Sequence, residues 1–200
     1  MKNIAVFASG RGTNLQAIIR AVKKGKLKVD LGLVVSDNKK SLALKRAKRA
    51  GIKNIFVDPT QFPSKDAFEQ EILKYLEAEK IDLIVLAGFM RIVGTTLLDR
   101  FPNKILNIHP ALLPSFKGTE GVRDAFEYGA KITGVTIHFV DAKMDHGPII
   151  LQGVVKIEES DTPESLEAKI HRLEHKLYPQ AIALVAGEKV RLDGRKSKIS

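Results

Sequence analysis

The fold follows from the opening stretch of the chain, residues 2–23, which read KNIAVFASGRGTNLQAIIRAVK. The apolar run Lys2–Ala8 predicts a buried strand, and the amphipathic spacing of Thr13–Lys23 predicts a helix. A second apolar run follows at Val29–Ser36. A strand, a helix and a further strand in this order predict a βαβ unit, whose two strands are parallel.

The same alternation continues through the first half of the chain. Further strands are predicted at Asn54–Val57, Leu83–Ala87 and Ile105–Ile108, and further helices at Ser41–Ala50, Lys65–Glu79 and Gly94–Asp99. Successive βαβ units build a parallel sheet with helices on both faces. The sequence therefore predicts a single-domain, Rossmann-like α/β fold.

The second half of the chain has a different pattern. A helix near Gly121–Tyr128 precedes two longer strand patterns at Thr133–Val140 and Ile149–Ile157, which are close enough in sequence to pair antiparallel. A final helix is predicted from about Pro163 to Val185, because a threonine N-cap stands directly before a proline at its first position. The mostly parallel sheet is thus expected to carry an antiparallel C-terminal strand pair.

Length and composition indicate a globular enzyme-sized domain. The chain has 200 residues, 44% of them hydrophobic, and no cysteine, which excludes disulfides and thiolate metal sites. We expect one domain over residues 1–200, with residues 191–200 as a flexible tail. No segment approaches the roughly 20 apolar residues of a membrane span, and the N-terminal apolar run is too short for a signal peptide, so a cytoplasmic location without a membrane partner is expected.

The chain is basic, with a formal net charge of +10 from 33 Lys and Arg against 23 Asp and Glu. Such a field favours anionic ligands, and nucleic acid is one of them. The basic residues are scattered over helical patterns, however, and three tyrosines and no tryptophan accompany them. Single-strand binders need aromatic side chains between the basic ones, so we expect no nucleic-acid partner. A basic nucleic-acid-binding module stays the alternative from another class.

An amide, an imidazole and a carboxylate mark a candidate catalytic centre. Asn107 and His109 end a predicted strand two residues apart, so an extended backbone points both side chains the same way. Asp145 lies in a second polar loop. These three groups together can stabilise an oxyanion and move a proton. The alternative is that Asn107 and His109 only hold a loop in place.

The turn Ser9–Asn14 has the chemistry of an anion site. Gly10 and Gly12 let the backbone approach a ligand closely, and the helix that follows offers free N–H groups. A dinucleotide is not expected, because Leu15 stands where the G-x-G-x-x-G pattern needs glycine. A phosphate monoester remains a possible ligand of this turn. Like other turns that follow strands in open sheets, this one is expected at the ligand-binding edge.

Two other histidine patterns suggest different chemistry. Residues 171–175 read HRLEH, which matches the H-x-x-E-H pattern of some zinc peptidases, but no third ligand or cleft is evident and we expect no metal. His138 lies in an alternating strand, where a supporting or structural role is expected. His146 is next to Asp145, but adjacent side chains diverge in an extended loop, so the distant His109 is the better partner.

Taken together, four segments resemble the folate-dependent phosphoribosylglycinamide formyltransferases of purine synthesis. They read SGRGTNLQ at 9–16, LAGFMR at 86–91, LNIHPALLP at 106–114 and MDHGPIILQ at 144–152. The resemblance extends over nearly the whole chain. It implies transfer of a formyl group from 10-formyltetrahydrofolate, a co-substrate, to the amine of phosphoribosylglycinamide, without a tightly bound cofactor.

The resemblance also implies roles for individual residues. Asn107 and protonated His109 would stabilise the oxyanion, while Asp145 would favour the charged imidazole and relay a proton. The substrate would be bound by Gly10, Arg11, Gly12, Thr13 and Asn14 at its phosphate and by Glu174 at its ribose. The folate would be bound by Lys65, Met90, Arg91, Ile92, Val93, Val140 and Asp141.

The sequence departs from the family pattern at two places. Glu120, in the expected mobile segment Ser115–Gly121, stands where many relatives have histidine, and Ala142 and Lys143 replace a commonly acidic or glycine-containing pair. Both put loop closure and pH dependence in question. Formyltetrahydrofolate deformylase and methionyl-tRNA formyltransferase share the same core and stay alternatives, although each normally carries an added domain for which 200 residues leave no room. A monomer or weak homodimer is expected.

Overall fold

The computed structural model describes residues 1–200, which group into two compact units, residues 1–106 and 107–200. In the first unit the strands are β1 (Lys2–Phe7), β2 (Val29–Ser36), β3 (Asn54–Phe56) and β4 (Leu83–Leu86). Its helices are α1 (Thr13–Lys23), α2 (Leu42–Arg49), α3 (Lys65–Ala78) and α4 (Thr95–Arg100), with a 3-10 turn at Pro59–Gln61. Strand β1 pairs parallel with β2 and β4, and β2 pairs parallel with β3.

The first unit forms around fully apolar strands. The last four residues of β1 and all of β4 are buried, as expected for strands covered on both faces. The helices begin at polar caps: Ser41 accepts a hydrogen bond from the amide of Ala43, and Ser64 accepts one from that of Ala67. Such caps each stabilise a helix by about 1 kcal/mol.

The second unit contains most of β5 (Ile105–His109), then α5 (Gly121–Glu127), β6 (Ile132–Phe139), β7 (Ile149–Lys156) and α6 (Pro163–Ala186). Strands β6 and β7 pair antiparallel, as predicted, and α6 packs against both. A capping box starts α6, in which Thr162 and Ser165 each bond the backbone amide of the other. The β6–β7 connection contains Asp145.

A β-hairpin follows α6, formed by β8 (Val190–Asp193) and β9 (Lys196–Ile199). The turn between them is Gly194–Arg195, and Gly194 has a φ of 58°, which glycine adopts at no steric cost. Residues 190–199 therefore form a hairpin, whereas the sequence predicted a flexible tail at residues 191–200. The signal that was missed is Gly194, a glycine at the first position of a two-residue hairpin turn between alternating residues.

The strand order confirms the predicted mostly parallel α/β fold. One sheet has seven strands in the order β3-β2-β1-β4-β5-β6-β7, and β8 and β9 form a separate two-stranded sheet. The predicted helices and strands up to residue 186 agree with the structure to within one or two residues. No helix of the protein is both long enough and apolar enough to cross a membrane.

Candidate active site

The second unit brings together the three polar side chains that the sequence marked as a catalytic centre. His109 Nδ1 lies 3.5 Å from Asp145 Oδ2, and Asn107 Nδ2 lies 3.5 Å from Asp145 Oδ1. The side chains of His109 and Asp145 are only 3% and 8% exposed. Because Asn107 and His109 alternate on β5 with a buried isoleucine, the strand itself directs both towards the same carboxylate.

The hydrogen bonds of His109 define its tautomer. Its Nε2 is 2.7 Å from the carbonyl oxygen of Phe116, and since a carbonyl only accepts, Nε2 must carry the proton. Neutral His109 then presents its unprotonated Nδ1 to Asp145. A second proton would enter at Nδ1, against the carboxylate, so Asp145 stabilises the charged form.

The net pKa of His109 is nevertheless lowered. Burial has the largest effect and disfavours the imidazolium, while the charge of Asp145 and the bond to Phe116 raise the pKa only in part. The free site therefore favours neutral His109, in contrast to the protonated imidazole that the family resemblance implied. For Asp145, burial raises the pKa, but the nearby His138 imidazole and the Gly118 amide more than offset this and hold the pKa below its ordinary value. Asp145 is thus a carboxylate at neutral pH.

His138 orients the Asn107 amide. Its Nδ1 is 2.7 Å from the carbonyl oxygen of Phe139, which leaves Nε2 as an acceptor, and Asn107 Nδ2 lies 3.3 Å from that nitrogen. Because His138 Nε2 accepts, the atom of the Asn107 amide that faces it is the nitrogen and not the oxygen. The sequence predicted a supporting or structural role for His138, and the structure gives it contacts of that kind.

The segment Ser115–Gly121 contacts the centre through its backbone. Besides the Phe116 carbonyl on His109, the amide of Gly118 donates to Asp145 Oδ2 at 2.9 Å. Phe116 and Gly118 have φ values of 50° and 101°. Sequence reasoning identified this segment but not its contacts, because backbone atoms carry no residue signature. Glu120 is exposed directly before α5.

Helix α6 contributes a buried carboxylate, Glu174, which is 4% exposed. His171 Nδ1 is 2.9 Å from Glu174 Oε2, and its Nε2 is 3.2 Å from Glu167 Oε1. The hydrogen bond to Glu174 is the largest influence on the pKa of His171 and raises it. Both ring nitrogens of His171 face carboxylates, an arrangement that favours the charged imidazolium, which has no lone pair for a metal.

In the first unit, the turn before α1 has the conformation that its glycines permit. Gly12 caps α1 with a φ of 67°, and a Cβ there would lie 2.8 Å from Ala43 Cα. Only glycine fits such a position. The Gly10 carbonyl accepts from Ser41 Oγ at 3.0 Å. The residues predicted to bind an anion therefore form the turn that leads into the 11-residue helix α1 and the first two positions of that helix: Gly10, Arg11, Gly12, Thr13 and Asn14.

The segment after β4 is joined to this turn within the same unit. Ser9 donates its backbone amide to the Gly88 carbonyl, and its hydroxyl accepts from the Met90 amide, both at 2.9 Å. Met90 and Ile92 are 68% and 61% exposed. Val93 is buried, and Arg91 lies 3.9 Å from Asp37 and stacks over the Phe68 ring. An exposed apolar pair beside backbone polar groups suits a flat heteroaromatic ring.

The other residues predicted to bind folate are Lys65, Val140 and Asp141. Lys65 is exposed at the first position of α3, and Val140 and Asp141 begin the loop that contains Asp145. Sequence reasoning missed a further contact of this loop: the side chain of Arg195, in the C-terminal hairpin, donates to His146. No local pattern could have indicated this pairing, because the two residues are 49 positions apart.

Comparison with known proteins identifies the family of this chain. The model of the formyl transferase family matches residues 2–182. The chain is 44% identical to a phosphoribosylglycinamide formyltransferase of Bacillus subtilis (strain 168), over 94% of this chain and 96% of that protein. It is 41% identical to the trifunctional purine biosynthetic protein adenosine-3 of Gallus gallus, over 98% of this chain and 19% of that protein. The crystal structure of glycinamide ribonucleotide transformylase 1 from Symbiobacterium toebii superposes with a TM-score of 0.97 at 45% identity, covering 100% of this chain and 94% of that chain.

Proposed function

The chain belongs to the formyl transferase family, and from this premise we propose that it transfers the formyl group of 10-formyltetrahydrofolate to the amine of phosphoribosylglycinamide. The activity is that of a phosphoribosylglycinamide formyltransferase, a step of purine biosynthesis. The co-substrate and the role of each residue are part of the proposal. The observation that carries the chemistry is the buried cluster of Asn107, His109 and Asp145.

Asn107 and His109 act as hydrogen-bond donors to the formyl oxygen. Attack of the substrate amine on the formyl carbon places negative charge on this oxygen, and fixed donors in a buried site stabilise that charge strongly. His109 Nε2 already donates to a carbonyl oxygen, that of Phe116, at 2.7 Å. The Phe116 carbonyl thus stands in for the formyl oxygen, and it has to leave Nε2 before the substrate can take its place.

Asp145 has two roles in the proposed mechanism. As a carboxylate 3.5 Å from His109 Nδ1, it favours the protonated ring, and an imidazolium is a stronger hydrogen-bond donor to the formyl oxygen as negative charge develops there. It also accepts, through water, the proton that the attacking amine loses, and returns that proton to the folate nitrogen as the bond to the formyl carbon breaks. The lowered pKa of Asp145 keeps it ionised for the first of these transfers.

The substrate phosphate is assigned to the turn formed by Gly10, Arg11, Gly12, Thr13 and Asn14. Amides at the start of α1 and the positive end of its dipole favour a dianionic phosphate, and the net charge of +10 favours its approach. Glu174 is assigned to the ribose, because a carboxylate accepts hydrogen bonds from two neighbouring hydroxyls. Its contact with His171 orients it.

The folate is assigned to Lys65, Met90, Arg91, Ile92, Val93, Val140 and Asp141. Met90 and Ile92 offer apolar surface for the pterin ring. Backbone groups of residues 90–93 and of residues 140–141 are assigned as donors and acceptors for the edge of the ring. Lys65 is an exposed cation suited to a carboxylate of the folate tail. Arg91 already faces Asp37, so its backbone is the more available part for a ligand.

Separate incubations of the protein and 10-formyltetrahydrofolate with each acceptor test the function. We expect rapid folate turnover with phosphoribosylglycinamide and slow turnover with water or a charged transfer RNA. Fast release of formate at a rate that phosphoribosylglycinamide does not change would identify a deformylase and contradict the proposal. RNA binding that weakens with salt, without formyl transfer, would instead favour the basic binding module.

The phosphate assignment predicts competition. Inorganic phosphate or sulfate should compete with phosphoribosylglycinamide and not with folate, and Gly12→Val should raise the KM for phosphoribosylglycinamide by at least about tenfold, because anchoring to one phosphate is worth several hydrogen bonds to charge. Gly25→Val is the matched control, since Gly25 has the same φ of 67° but open space around a Cβ. Competition against folate alone would place the anion elsewhere.

The proposed chemistry uses no metal, so chelation gives a further prediction. Dialysis against a strong chelator should leave the rate of formyl transfer unchanged, because Asn107 and His109 supply the electrophilic assistance. Activity and bound zinc are measured on the same samples. Zinc held by His171 and His175, with activity that falls on its removal and returns on its addition, would refute this expectation.

A further inference from the structure

The loop that carries Asp145 has an unfavourable backbone conformation. Asp145 has a φ of 48°, a left-handed value that costs a non-glycine residue roughly 1 kcal/mol or more. Gly147, two residues after Asp145, packs tightly against the end of β6, because a Cβ there would lie 1.9 Å from the Phe139 carbonyl oxygen. Such a conformation persists only where the surroundings hold it, so the contacts of this loop determine where the carboxylate lies.

His146 connects the two ends of the loop. Its Nδ1 is 2.7 Å from Asp141 Oδ2, and the other oxygen of Asp141 accepts from the Lys143 amide at 2.9 Å. Since the carboxylate only accepts, Nδ1 carries the proton and the other ring nitrogen of His146, Nε2, is an acceptor. Residues 141–146 are thus closed into a loop by one histidine side chain.

Arg195 holds this histidine from outside the loop. One guanidinium nitrogen lies 2.8 Å from His146 Nε2 and 3.2 Å from His146 Nδ1, and the other donates to the His146 backbone carbonyl at 2.7 Å. Because it is close to both ring nitrogens, the first guanidinium nitrogen lies against the imidazole ring. The bond to the carbonyl fixes the peptide unit between His146 and Gly147, which is one unit beyond the peptide that directly follows Asp145. A planar guanidinium can make both bonds at once, which a lysine ammonium cannot do in this geometry.

The hairpin itself is attached next to the loop. Ser197 Oγ donates to the carbonyl oxygen of Ile149, the first residue of β7, and β9 packs beside β7. Arg195 therefore extends from a turn whose following strand is fixed to the strand that follows the loop. The match to the family model ends at residue 182, so this support lies outside the matched residues.

We propose that Arg195 is a positioning residue for Asp145: through His146 it holds the carboxylate where it meets His109 and Asn107. The inference rests on the proposed function, in which Asp145 is catalytic. Arg195 is exposed, so its bonds contribute little to global stability. Its effect is geometric, because a displacement of about 1 Å at a catalytic group costs up to roughly a hundredfold in rate.

The test compares Arg195→Ala, Arg195→Lys and the control Arg191→Ala, a second exposed arginine of the same hairpin. We expect Arg195→Ala to lower kcat about tenfold, within the range for a misplaced catalytic group, with the KM for phosphoribosylglycinamide unchanged. Arg195→Lys should be intermediate, and Arg191→Ala should equal the parent protein. The thermal midpoint should be the same for all three variants.

A double-mutant cycle decides between positioning and general support. If Arg195 acts through Asp145, Arg195→Ala should cause no further loss in protein that already carries Asp145→Asn. An equal loss in both backgrounds, or unchanged kcat in Arg195→Ala, would overturn the inference. The proposed function fails differently: the parent protein would not transfer formyl groups to phosphoribosylglycinamide, or Asp145→Asn alone would be fully active.

Discussion

Replacing Asp145 by asparagine is expected to lower kcat by at least about a hundredfold, which corresponds to roughly 2.7 kcal/mol of transition-state stabilisation. The substitution keeps the shape of the side chain, and asparagine tolerates the left-handed backbone at this position. An amide can still accept from Gly118, but it cannot take up a proton or stabilise a charged His109. The measurement is the initial rate of formyl transfer with both substrates saturating.

The pH profile provides a second readout for this variant. Asp145 raises the pKa of His109 against the larger effect of burial, so removing the carboxylate charge should lower the pKa further. An acid limb of kcat that reports on His109 should therefore move to lower pH. Asp99→Asn, the same change at an exposed position of α4, should alter neither rate nor profile. Parent-like kinetics in correctly folded Asp145→Asn would exclude this residue from the mechanism.

Asn107→Asp should lower kcat by at least about a thousandfold, because two unfavourable effects add. The isosteric change removes an oxyanion donor, which alone costs about 10²–10³ in rate. It also places a second carboxylate where the Asn107 amide nitrogen now lies 3.5 Å from Asp145. Two carboxyl groups at this separation cannot both ionise freely, so the pKa of the pair rises and its ability to hold His109 falls.

The surface variant Asn103→Asp is the matched control, since Asn103 is exposed and lies outside the proposed site. Circular dichroism and the thermal midpoint check that Asn107→Asp is folded. Binding of phosphoribosylglycinamide should persist, because its phosphate is assigned to the Gly10–Asn14 turn. Activity within a few-fold of the parent would mean that Asn107 only orients the strand end, the structural alternative that the sequence left open.

Local sequence patterns predicted most of the fold because they act over short distances. Apolar runs such as Leu83–Leu86 and the amphipathic spacing of Thr13–Lys23 indicate strand and helix without reference to the rest of the chain. The hairpin at Val190–Ile199 was missed, although Gly194 is a turn signal, because a basic terminal segment is also typical of a solvated tail.

The candidate site was predictable where its chemistry lies in side chains on neighbouring positions. Asn107 and His109 alternate on one strand, so their common direction follows from backbone geometry. Their distance to Asp145 does not, since 36 residues separate Asp145 from His109 and only the packed loop brings them within 3.5 Å. The same holds for Glu174 and for the Arg195 contact with His146.

By itself, the sequence determined the order of helices and strands, the glycine turn before α1 and the identity of the polar groups. Only the tertiary structure decided the state of those groups. Burial makes His109 favour its neutral form, and backbone atoms of Phe116 and Gly118 occupy its Nε2 and the Asp145 carboxylate. Desolvation and backbone contacts depend on what surrounds a group, and the surroundings of a buried group come from chain segments distant in sequence.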